Sequence, residues 1–154
     1  MTSRTRKIVI ALVVIGICAL FVFGFLVGAA VMGFRAATRA GYEAATLQNL
    51  KTIAAVEAQY FITHNRSFGT SDQLISEQML NSKFSGNPAV VDGYVFTLSL
   101  ARKPDGASSW YKITADPQDE STGRNHFYLD SDEGRIRVNP DGQAGPTDPF
   151  NLDR

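Results

Sequence analysis

The run from Ile8 to Phe34 constrains this chain more than any other stretch. It contains no charged residue, and Arg4, Arg6 and Lys7 bound it on one side and Arg35 on the other. A helix needs about 20 apolar residues to cross a hydrocarbon layer of roughly 30 Å. A longer run accommodates by tilting. A helix that is apolar all round must be buried, in protein or in lipid. The chain has 154 residues, so the part beyond Phe34 suits one small domain and offers little interior for such a helix. The expectation is a basic end over residues 1–7, one transmembrane helix over residues 8–34, a folded domain over residues 35–138 and an irregular tail over residues 139–154.

A cleaved signal peptide fits less well, because its apolar core is about 7–15 residues. The positive-inside rule places Arg4, Arg6 and Lys7 in the cytoplasm against the weaker pair Arg35 and Arg39, so the domain is expected outside it. Gly24 and Gly28 form a GxxxG pair, which lets two membrane helices approach closely. Glycine is also simply common in such helices. No Asp, Glu or His lies within the run, so nothing suggests an ion path.

Charge is distributed unevenly. Three of the fifteen bases precede the run, whereas all fifteen acids follow it, leaving the exterior part at −3. That balance argues against nucleic-acid binding, which needs a basic footprint. The one cysteine, Cys18, lies inside the run. The domain is therefore expected to hold neither a disulfide nor a cysteine zinc site.

All six prolines lie at or beyond Pro88. From Arg35 to about His64 the spacing predicts a helix continuous with the apolar run. Its expected buried stripe is Ala36, Ala40, Leu47, Leu50, Ala54, Ala58 and Phe61, flanked by Ile53 and Tyr60. Glu43 and Glu57 fall on or beside that stripe and are read as solvated. Asn65 to Gly69 ends the helix. Thr70, Ser71 or Asp72 caps a short second helix. Asn81 to Asp92 reads as a loop.

The period then changes to two. Strands are expected over Tyr94 to Ala101, Ser109 to Ala115, Asn125 to Asp130 and Arg135 to Val138, joined by turns at Lys103-Pro104-Asp105-Gly106 and Ser131-Asp132-Glu133-Gly134. The fold class is therefore α+β: a long N-terminal helix packed on a small antiparallel meander.

Basic end, apolar span, continuous helix, short helix and meander follow one another in an order that resembles type IV pilins and type II secretion pseudopilins. The matching residues are Ala58-Gln59-Tyr60-Phe61 with Phe68-Gly69-Thr70, then Gly93-Tyr94-Val95-Phe96, Tyr111 to Pro117, Phe127-Tyr128-Leu129-Asp130 and Gly134-Arg135-Ile136-Arg137. The resemblance implies a structural or interaction role in a pilus or pseudopilus. It also implies a bacterial inner-membrane location, with other pilin-like or assembly proteins as partners. The chain departs from the family in two places. Pilin precursors carry a Gly before the apolar segment and a Glu five residues into the mature chain. Here Lys7 precedes Ile8, and no acid lies between Ile8 and Phe34. The departure favours the rival expectation of a stand-alone anchored binding or sensing module.

Candidate sites are sparse. No nucleophile elbow or phosphate loop occurs, and no enzymatic activity is expected. Ser108, His126 and Asp130 form a triple across neighbouring strands, of a kind any small sheet offers. Asp130 and Asp132, with Asp141, Asp148 and Asp153 in reach by sequence, are the candidate calcium ligands, since calcium takes several closely spaced oxygens. The alternative is a hairpin turn with solvated acids. Trp110 is the candidate partner-binding residue, because an exposed tryptophan can anchor a contact. It can equally pack against the domain.

Overall fold

A computed structural model describes residues 3–102 and 109–151, with side chains from residue 13 onward among them. The turn at Lys103 to Gly106, Ser108 and Asp153 lie outside the described residues. One α-helix, α1, runs over Ser3–Thr63. The chain divides into two compact units, Met1–Ala37 and Thr38–Arg154.

The described residues of the first unit are all helical. Every described side chain from Val13 to Phe34 is exposed. The apolar window of the helix has a mean hydropathy of 2.7 and none of it is buried. In length and composition it is sufficient to cross a membrane.

In the second unit α1 turns Thr46, Asn49, Leu50, Ile53, Glu57 and Tyr60 inward. These residues recur at three- and four-residue steps and so share one face. The buried face is rotated from the expected stripe. Ala40 and Ala58 are exposed, whereas Ile53 and Tyr60 sit at the centre. Burial scales with apolar area, so the large side chains orient the helix and the alanines follow. Asn65 and Arg66, with φ of 51° and 59°, turn the chain away after the last helical residue. Thr70 then caps α2, Ser71–Ser76, in a reciprocal box with Gln73.

Five strands follow: β1 Ala89–Val91, β2 Tyr94–Arg102, β3 Ser109–Pro117, β4 His126–Asp130 and β5 Arg137–Asn139. They pair antiparallel in chain order. The fold is α+β, as expected. Opposed pairs carry the inner face, including Phe96 with Ala115, Leu98 with Ile113, and Ile113 with Leu129. These residues join Leu50, Ile53 and Tyr60 of α1 in one core.

Two sequence readings need correction. The segment Asn81 to Asp92 is not a plain loop. It holds a short 3-10 turn, Ser82–Phe84, and the edge strand β1. Phe84, Ala89 and Val91 enter the core, in a run too short for periodicity to reveal. The last strand also begins later than expected, at Arg137, and the tail beyond it is partly ordered against the sheet. Val138 donates to Pro149 O at 3.0 Å and Asn151 to Ile136 O at 2.8 Å. Phe150 opposes Arg137 in an antiparallel bridge and lies under both Arg135 and Arg137, with guanidinium carbons 3.6 and 4.0 Å from its ring centre. The tail thereby covers the β5 edge, which would otherwise present unpaired backbone groups.

Candidate functional site

The polar residues of α1 are built into the domain. Glu43 accepts three hydrogen bonds: from the Arg124 amide at 3.0 Å, the Asn125 amide at 3.3 Å and the Asn125 side chain at 2.7 Å. It thus fastens α1 to the loop that enters β4. Asn49 donates to Asp92 at 3.0 Å, and Lys83 reaches both of them, at 3.1 and 3.3 Å. The Asn49 hydrogen bond, then Lys83, holds the Asp92 carboxyl below its ordinary range. Glu57 is completely buried, with Oε2 accepting the Gly69 amide at 2.9 Å and Oε1 unpartnered. Burial pushes its carboxyl up to about 7, with the Gly69 bond opposing. Glu43 and Glu57 are therefore not the solvated acids the sequence suggested. Both lie where a loop leaves backbone amides in need of an acceptor.

The proposed calcium ligands serve the turn. Asp130 Oδ1 accepts from the amides of Asp132 and Glu133, at 3.0 and 3.1 Å, and Oδ2 accepts from the Tyr128 hydroxyl at 3.0 Å. Burial and this carboxylate push the Tyr128 hydroxyl up to about 12. Asp148 accepts from the Gly145 amide and from Asn139. Among the described residues no group of three or more His, Cys, Asp or Glu side chains is placed to hold a metal ion.

His126 Nδ1 lies 2.6 Å from Asp116 Oδ1, so its carboxylate partner is Asp116 rather than Asp130. A carboxylate only accepts, which assigns the proton to Nδ1. Trp110 is half-buried on the outer sheet face with Lys112 and Thr114, opposite Ala101. Gly24 and Gly28 have open space around them, and Cys18 is exposed.

Sequence reasoning missed one polar pocket of about 600 Å³, lined among others by Arg39, Asp119, Glu120, Arg124, His126 and Asp141. Its parts come from α1, the loop before β4 and the segment after β5. No local motif joins them. No protein-family model, curated protein or solved structure matches this chain.

Proposed function

We propose that this chain is a single-pass, membrane-anchored, pilin-like interaction protein, a minor or atypical subunit of a type IV pilus or type II secretion pseudopilus. The observation that carries the reading is the exposure of every described residue from Val13 to Phe34, in the same helix α1 that supplies the core face of an antiparallel meander. An exposed apolar surface of that extent calls for lipid or a partner. The basic residues before the run orient the N-terminus to the cytoplasm and the domain away from it. On this reading the work is done by helix packing in the membrane, with Gly24 and Gly28 as the close-approach positions, and by surfaces of the domain.

One observation favours a second reading, an anchored binding or sensing module that does not polymerise. The run from Ile8 to Phe34 lacks an acid, and Lys7 stands where a processing glycine is expected. The test is to recover the chain from salt-washed bacterial membranes, measure its intact mass and crosslink it in place. Ladders of crosslinked subunits or capture of assembly proteins support the first reading. A monomer that retains Met1 to Lys7 supports the second. Release of the chain by the salt wash would sink both.

A further inference from the structure

We propose that the open edge of β2 pairs with the same edge of a second copy of this chain, antiparallel about a two-fold axis at Ala101. The contact lies wholly within the second unit and stands apart from the reading of the apolar run as an anchor. β2 has nine residues, Tyr94–Arg102, but β1 covers only Tyr94 to Phe96. The Asn87 side chain then takes the place of a strand. Its Oδ1 accepts from the Leu98 amide at 3.0 Å, and its Nδ2 donates to Leu98 O at 2.7 Å. Backbone groups along a strand alternate in direction, so those of Leu100 and Arg102 point to the same edge as those of Leu98. Tyr111, opposite Leu100 on β3, turns its own amide and carbonyl away to Ser131, at 3.3 and 3.0 Å. Among the described residues nothing pairs with this last stretch of the edge, and Leu100, Ala101 and Arg102 are all exposed. A strand edge left open is a template for another strand.

Charge selects a second copy as the occupant. Asp72, at the start of α2, lines with Leu98 and Leu100 a groove of about 330 Å³ beside this edge. Arg102 ends β2 on the same sheet face as Leu98 and Leu100. Among the described residues neither Asp72 nor Arg102 has an ion-pair partner. One acid and one base therefore stand apart on the same edge, and a two-fold axis brings each to the other's partner.

The open groups also fix the register. An axis at Leu100 would set the partner's Arg102 against Leu98, which Asn87 already holds. With the axis at Ala101, Leu100 faces the partner's Arg102, and the two exchange a pair of N–H···O bonds. The reciprocal pair repeats this. The partner's Arg102 then lies over the groove that Asp72 lines, and its stem covers the Leu100 side chain, which is 38 % exposed in the single chain. On the other sheet face Ala101 meets the partner's Ala101, with the half-buried Trp110 beside it on β3. Small side chains at the axis leave room for both indoles.

The test uses the full chain in membranes, with Cys18→Ser throughout and one new cysteine. Facing residues in a non-hydrogen-bonded antiparallel pair lie about 4.5 Å apart, within disulfide range. Under mild oxidation Ala101→Cys is expected to form a dimer about tenfold faster than Ser99→Cys, whose counterpart sits about 13 Å away along the strand. Charge reversal then identifies the contact. In the Ala101→Cys background, Arg102→Glu sets acid against acid and Asp72→Arg sets base against base. Each chain alone is expected to lose the dimer, and the two mixed in one membrane to regain it, because each then meets the opposite charge. Thermal unfolding checks the fold of both. Equal oxidation at the two cysteine positions, or none at Ala101→Cys, overturns the pairing. Loss of the dimer without recovery on mixing, in folded chains, overturns the contact between Arg102 and Asp72 and the second copy with it. Protection of the Leu100 and Arg102 amides from hydrogen exchange without an Ala101→Cys crosslink assigns the edge to a strand of another protein and overturns the proposal.

Discussion

Glu57 Oε2 accepts the backbone amide of Gly69 at 2.9 Å, across the loop that follows α1, while Oε1 meets no partner. The carboxyl is neutral in its most stable folded form, because burial disfavours the charge more than one hydrogen bond restores it. Burial, with Glu57 among the acids that add to it, pushes up the hydroxyls of Tyr60 on α1 and Tyr111 on β3.

The folded value of about 7 stands above the ordinary 4.5, so the folded state holds its proton over a range in which the unfolded chain has lost it. Stability is full below the unfolded value and falls as pH rises from about 4.5 through 7. The whole loss is on the order of 3 kcal/mol. Glu57→Gln keeps an acceptor for Gly69 and removes the titration. Urea unfolding of this variant is expected to be flat across that window, and at pH 8 to exceed the parent. A parent curve with no downward slope there would refute the assignment.

Glu43 satisfies two backbone amides and one side chain of the β3–β4 loop. Glu43→Ala leaves these donors to water or unpaired, at a cost of about 1–3 kcal/mol. Hydrogen exchange at Arg124 and Asn125 should rise with it, while exchange in β2 changes only through global stability.

Gly123 lies so close to Tyr94 that an added Cβ would overlap the phenol oxygen. That hydroxyl donates to Asn125 O at 3.0 Å. Gly123→Ala displaces the ring from a fully buried position and is expected to cost about 1–3 kcal/mol. Adding Tyr94→Phe removes the nearest clash, so the double variant should lose less than the sum of the single losses in a thermodynamic cycle.

Phe150→Ala removes the ring that lies beneath Arg135 and Arg137. The expected loss is about 1–2 kcal/mol, from apolar area and cation–π contact together. Proteolytic cleavage beyond Asn139 should accelerate, because the tail then retains chiefly its backbone bonds to β5. An unchanged cleavage rate would show that those bonds alone secure it.

Much of the architecture was legible because it is written in local period. The apolar run, the continuation of α1 to Thr63, the Thr70 cap and the alternation in β2 and β3 each follow from neighbouring residues. β1 was not legible, since three residues carry no usable alternation and its pairing is defined by β2. The burial of Glu57 was equally hidden, because nothing near it in sequence shows that the Gly69 amide will arrive twelve residues later.

The candidate sites divide in the same way. Asp130 and Asp132 were visible as an acidic turn, but only the fold shows Asp130 spent on two amides and a tyrosine hydroxyl. The pocket at Arg39 unites α1, the loop before β4 and the chain after β5, which no spacing rule connects. By itself the sequence determined an apolar helix long enough to cross a membrane and a domain of α+β class, since periodicity and hydropathy are properties of adjacent residues. Only the tertiary structure decided which face of α1 is buried, which acids are structural and where opposite charges converge. Those outcomes depend on contacts between distant segments, and a contact made across the chain leaves no period along it.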